Sequence, residues 1–455
     1  MILIILTCDS CSYNALRKYR SLQDKMGLSL KKIMVGASTE NVGTNYQHLL
    51  KMLLQLCLVN FLILAVVGLW LRAYPLFPIG IFTYKNVLHA HSHFAFGGWI
   101  MPALFLLILK YFPEISTSNA FPHWKRIVYM TIGSAYGMLL SFPFQGYALI
   151  SVFFSTLSIA SGIYAAYIVR NITRHQVFSA SRSFLRAGFA FFCISAIGPF
   201  ATGPLIAMGK AGSEIYYNAI YFYLHFQYNG FFTFLVLAVL YKFIERCRPF
   251  NNGRSVFALL NFSIIPAYAL SVLWTEPSLI IYIIGGMAAL LQLPAILLLL
   301  RDLKVIRWKK QLTGWLFPVA ITALIVKCVL QVLSAFPAVA QLAFQNRNFI
   351  IAYLHLVLIG FISFFIFWLI SKPGSDYQEK KFSYGIRLFV FAFFSTELLL
   401  VLQAANLLPW FLIPYYLQLI FSLSIFFPIG LSMICSSVIG KHQSRAIRSL
   451  SSSSR

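Results

Sequence analysis

Five histidines of this chain fall at or within long apolar stretches: His89, His91, His93, His225 and His355. An ionisable ring at such depth is costly and marks a functional site by default. Imidazole there can ligate a metal ion, hold an iron or carry a proton. The surroundings of three of these rings recur. The chain reads His93-Phe94-Ala95-Phe96-Gly97-Gly98-Trp99, His225-Phe226-Gln227-Tyr228-Asn229-Gly230-Phe231 and His355-Leu356-Val357-Leu358-Ile359-Gly360-Phe361. Each is His, four residues, Gly, then a large aromatic. Tyr223-Leu224 and Tyr353-Leu354 also precede the second and third His. The intervals are 132 and 130 residues. The other four, His48, His123, His175 and His442, sit in tails or basic loops and read as solvated.

The elements that must position these rings follow from composition. Of 455 residues, 60% are hydrophobic and only 10% charged. A soluble fold has about 25% charged residues, so this chain lacks the polar surface for one. Twelve apolar runs are each long enough to span a bilayer: about 52–74, 88–110, 127–149, 151–169, 186–206, 217–241, 255–274, 278–300, 313–336, 349–371, 386–406 and 413–436. The predicted fold is an all-α polytopic membrane protein. A basic tail covers 1–50, one membrane domain 51–436, and a second tail 437–455. Each His interval holds four spans, which predicts three repeated four-helix units at about 51–169, 186–300 and 313–436.

The net charge of +25 is distributed as a topology signal. Basic residues crowd the tails and every second loop, as in Arg170, Arg174, Arg182 and Arg186, or Arg301, Lys304, Arg307, Lys309 and Lys310. The intervening loops hold little beyond Arg72, Lys85, Lys210 and Arg347. The positive-inside rule then places both termini in the cytoplasm. It also excludes the nucleic-acid reading of so basic a chain, because no basic groove is formed. Membrane lipid is the expected partner, and the cell inner membrane the expected location. The opening stretch MILIILTC is too short to span and has no basic region ahead of it, so it is not read as a signal peptide. The seven Cys have no zinc or disulfide spacing; Cys8 and Cys11 form an isolated CDSC. There is no CxxCH, so no covalent c-type haem is expected.

In this topology spans 2, 6 and 10 run the same way. Their His lie at similar depth, roughly 6–14 Å below the outer boundary. Three imidazoles at one level suit a haem or metal constellation. Gly98 and Gly360, with Gly97 and Gly230, would let a flat macrocycle or a neighbouring helix approach. His89 and His93 are four apart on one helix face, and His91 lies nearly opposite. The repeat favours His93, and a second His there could bind an ion or shuttle a proton.

These features resemble subunit I of the haem–copper oxidase superfamily, including the cbb3-type oxidases and nitric oxide reductases. HAHSHFAFGGW at 89–99 is similar to the second-span haem-ligand region, and YLHLVLIGF at 353–361 to the tenth-span region. YLHFQYNGF at 223–231 falls where the sixth-span ligand of the non-haem metal sits. The resemblance implies His91 or His93 as one axial ligand of a haem b. His355 would be the other, or the proximal ligand of a second haem. His225 would hold a second metal ion. His89 joins His93, His225 and His355 as a candidate metal ligand.

The chain also departs from that family. The seventh span, VFALLNFSIIPAYALSVLW, has no His pair, and Tyr353 stands where a second tenth-span His is usual. A three-imidazole copper site cannot be built, so a degenerate oxidase scaffold without a dinuclear centre is expected. Its implied roles are electron transfer, handling of O2 or NO, or support of a respiratory complex. With no CuA-like or c-type domain, electrons would come from quinol, a cytochrome or another respiratory subunit. The alternatives are a multispanning transporter and a NnrS-like haem and copper membrane protein. Glu397 and Lys327, both mid-span, could pair across the bundle or form a proton path, and each alone also fits a hydrogen-bonding role at a helix contact. Gln145, Gln227, Asn229, Gln292, Gln331 and Gln403 complete the intramembrane polar set.

Overall fold

A computed structural model describes residues 38–77, 80–306, 313–371 and 377–452. The expectations for MILIILTC, for Cys8 and Cys11, and for most of the basic N-terminal tail lie outside the described residues. So do the loop cations Arg307, Lys309, Lys310 and Lys372.

The described chain is helical from end to end, and the long helices follow the apolar runs. They are α1 (Ser38–Ala73), α2 (Tyr84–Tyr111), α3 (Phe121–Gln145), α4 (Leu149–Thr173) and α5 (Ala180–Ala207), then α6 (214–247). After these come α7 (Gly253–Thr275), α8 (Leu279–Val305), α9 (Leu316–Leu333), α10 (Arg347–Ile370), α11 (Glu379–Ala404) and α12 (Ile413–Ile439). Among the described residues, eleven helices are long and apolar enough to cross a membrane. The helix outside that set is α6, whose middle carries His225, Gln227 and Asn229 among its aromatics. Two helices run on beyond their apolar spans: α1 begins at Ser38, and the last helix continues to Ser452, so parts of both tails are helical. Polar, charged ends of a helix carry no hydrophobic signal, so a count of apolar residues stops short of them.

Neighbours in sequence are neighbours in space: α3 with α4, α5 with α6, α7 with α8, α11 with α12. Helix α12 also returns to pack on α1 and closes the ring. Three helices stand inside that ring. Residues 97–109 of α2, 229–241 of α6 and 360–371 of α10 are buried without a break. The unbroken burial shows that these three are enclosed by the other helices. The surrounding helices instead present Leu140, Phe153, Phe262, Leu279 and Leu398 outward, where lipid solvates them at no cost.

The bends between helices are fixed by buried carboxylates. Asp302, at the end of α8, is fully buried. It accepts from the Asn252 backbone and side chain at 2.8–3.1 Å and from the Tyr241 hydroxyl at 3.2 Å. It thereby ties α6, the start of α7 and α8 together. Glu245 does the same for α5, accepting from the Ser179 and Ser181 hydroxyls and the Ser181 N–H at 2.7–3.0 Å. A carboxylate at a helix N-terminus satisfies donors that have no partner within the helix.

Candidate functional site

The three recurrent His motifs coincide with the three π-helical segments of the described chain. These are Ala95–Ile100 in α2, Phe226–Phe232 in α6 and Leu356–Ser363 in α10. Each begins one or two residues after its His. A π turn widens the helix and displaces carbonyls from the regular hydrogen-bond ladder, and such turns concentrate at functional sites. Side chains answer for the displaced carbonyls. Thr233 Oγ1 donates to Tyr228 O at 2.6 Å and Ser363 Oγ to Leu358 O at 2.7 Å, both five residues back. In α2 the Gly98 carbonyl accepts from Asn60 Nδ2 of α1 at 2.8 Å. Trp99 Nε1 donates to Ser363 Oγ at 2.8 Å, joining the π segments of α2 and α10. Phe96 and Phe232 meet edge to face at 5.2 Å, joining those of α2 and α6.

The uninterrupted burial of each inner helix begins within or just after the glycine-containing part of its π segment. Before it, the N-terminal halves of α2, α6 and α10 are mostly only partly buried. The histidines lie at the boundary between the loose and sealed halves. The motif glycines serve aromatic packing. A Cβ on Gly98 would stand 2.7 Å from the Phe94 ring, and one on Gly360 3.0 Å from Phe393 and 3.3 Å from Ala323.

His355 and Glu397 form a polar pair, and His91 is within electrostatic reach of it. His355 Nδ1 lies 2.8 Å from Glu397 Oε1 of α11, the two side chains 29% and 13% exposed. The second carboxylate oxygen, Glu397 Oε2, is buried and has no hydrogen-bond partner among the described residues. His91 lies against α1, where a Cβ on Gly68 would come within 2.9 Å of its Cε1, and its buried Nδ1 has no partner. His91 is also within electrostatic reach of Arg72. Arg72, in the last turn of α1, is in turn within reach of Glu397, Tyr84 and Tyr416. Asn348 braces the rim, donating to Gln403 Oε1 at 2.6 Å and to the Tyr416 hydroxyl at 3.0 Å.

His89 and His93 project from the opposite face of α2, toward the α3–α4 turn. His93 Nε2 is 2.9 Å from the Tyr147 hydroxyl, and its ring stacks on Phe142 at 4.7 Å. His89 meets Tyr147 edge to face, and its buried Nε2 has no partner. The two rings thus share a site with each other and not with His355.

His225 occupies a third place, 1% exposed. Its Nε2 is 2.8 Å from the Ile264 carbonyl and its Nδ1 is 3.2 Å from Asn229 Nδ2. A carbonyl only accepts and an amide nitrogen only donates, so this ring is neutral with its proton on Nε2. The Ile264 carbonyl is available because α7 tightens at Pro266 into a 3-10 segment. There Tyr268 N–H turns to Ile265 and Pro266 instead. Both nitrogens of His225 are therefore engaged by protein atoms.

Glu397 and Lys327 do not pair with each other. Glu397 pairs with His355, and among the described residues no ion pair joins it to Lys327. Gly68 and Tyr147 carry no mark of a site in the sequence, and Arg72 stands there only as a loop cation. Gly68 and Arg72 are four residues apart on one face of α1, a signal that becomes legible only once His91 is placed against it.

Fold and cluster together define a multi-span, all-helical membrane protein with a carboxylate-paired imidazole inside its bundle. No family model matches the chain, and no curated protein matches it.

Proposed function

We propose that the chain is a haem b-binding protein of the inner membrane, built like the core of a terminal oxidase and serving electron transfer, O2 or NO handling, or support of a respiratory complex. In this reading α6 is the twelfth span, the helices form three four-helix units, and both termini are cytoplasmic. His355 of α10 and His91 of α2 would hold the haem.

One observation carries the reading: the hydrogen bond between His355 Nδ1 and Glu397. An iron- or metal-ligating imidazole donates its other ring N–H to a carboxylate, which fixes the tautomer and raises the basicity of the ligating nitrogen. Here that leaves Nε2 as the ligating atom. The orphaned Nδ1 of His91, within electrostatic reach of that pair, is a second ligand atom seeking a partner. Two imidazoles suffice for a haem. Among the described residues no group of three or more His, Cys, Asp or Glu is arranged to hold a bare metal ion. When bound, a haem b would supply one-electron chemistry with both axial positions filled, or gas binding with one open. Gly68 keeps room for the His91 ring, and Arg72 places a cation beside the cluster. Quinol or a partner protein is the electron source in this reading.

A reduced-minus-oxidised spectrum with pyridine haemochrome on the detergent-purified protein tests it. A stoichiometric b-type signal that disappears in His355→Ala is expected. Protein free of haem, from cells supplied with it, overturns the reading. A transport role is the second reading, and the observation favouring it is a lysine inside the bundle without a counter-charge.

A further inference from the structure

Lys327 of α9 is 2% exposed and makes no hydrogen bond or ion pair among the described residues. Gln331, one turn on and 6% exposed, has an orphaned Oε1. Gln292 of α8 is 1% exposed, and its Oε1 accepts from Cys328 Sγ at 3.7 Å. That contact sets the Gln292 amide against the same stretch of α9, and its Nε2 is orphaned. His225 is within electrostatic reach of Lys327 but is neutral, with its proton committed to Ile264.

A buried amine either gives up its proton or keeps it beside a compensating negative charge, because desolvating the bare cation costs several kcal/mol. The chain has eleven acidic residues in all. Those inside the bundle are committed elsewhere, Glu397 to His355 and Asp302 to the start of α7. We infer that Lys327, Gln292 and Gln331 form an internal site for a small monovalent oxyanion of the formate, nitrite or bicarbonate class. The ammonium supplies the charge and one donor, and the Gln292 amide supplies a second. Two donors suit the two oxygens of a planar anion. The Gln331 carbonyl accepts from a protonated third oxygen, as in bicarbonate. This inference does not depend on the haem reading.

The test is thermal unfolding of the full chain in detergent, with sodium formate, nitrite or bicarbonate exchanged for chloride at constant ionic strength. The midpoint of the unsubstituted protein is expected to rise with oxyanion concentration, because a ligand of the folded state stabilises it by mass action. Lys327→Met is expected to give a flat response and, free of oxyanion, a higher midpoint, since an apolar replacement removes the buried charge. Gln292→Leu keeps the charge and is expected to weaken formate binding about tenfold, the worth of one hydrogen bond to a charged group. A flat response in the unsubstituted protein overturns the inference. So does an undiminished response in Lys327→Met.

Discussion

Glu397 and His355 face each other across the α10–α11 contact at 2.8 Å, and this pair decides which nitrogen of His355 remains for chemistry. Replacing Glu397 by Gln preserves the shape and a hydrogen-bond acceptor while removing the charge. The expected result is a protein that still takes up haem b but holds it 10- to 100-fold less tightly, the usual cost of losing such a partner. Haem transfer to an acceptor protein measures the difference. An unchanged transfer rate would remove the carboxylate from the proposed role.

The two faces of α2 predict different phenotypes for its histidines. His91→Ala is expected to abolish or alter the b-type spectrum. His93→Ala is expected to leave it intact, since His93 is held by Tyr147 and Phe142 on the far side. Gly68→Leu should act like His91→Ala, because even a Cβ there meets the ring at 2.9 Å. Spectra of the three variants, normalised to protein, check this.

His225 is expected to matter for stability and not for the spectrum. His225→Leu strands the Ile264 carbonyl and the Asn229 amide inside the bundle. Each orphaned group costs about 1–3 kcal/mol. The thermal midpoint should fall while the haem content of the folded fraction stays constant. Loss of haem with an unchanged midpoint would contradict the assignment.

Trp99 and Ser363 should be coupled across the inner bundle. A double-mutant cycle of Trp99→Phe and Ser363→Ala is expected to return an interaction of about 0.5–1.5 kcal/mol from unfolding measurements. Additive effects would show that the 2.8 Å contact contributes nothing.

Asp302→Ala removes the acceptor shared by Asn252 and Tyr241. A loss of about 2 kcal/mol or more is expected, read from chemical unfolding, with no effect on the His355 cluster.

The positions of the long helices were legible in the sequence because a bilayer demands runs of about 20 apolar residues. The recurrence of His, Gly and aromatic residue was legible too. What it marks, a π turn in each inner helix, was not, because one extra residue per turn leaves no compositional trace. The split of His89 and His93 from His91 follows from helical geometry alone. Which of them meets His355 did not, since that depends on how α2 is rotated between α1 and α3. Lys327 and Glu397 attract on paper, but Glu397 is taken by His355 of α10, a partner that only the packing of α10 on α11 supplies.

The π turns also have a geometric meaning. Each residue advances a helix by about 100°, so one residue added to a turn throws the faces before and after it out of phase. That change of phase falls at the start of the sealed stretches 97–109, 229–241 and 360–371, so the half of each inner helix that carries a histidine is rotated out of register with the sealed half that follows it.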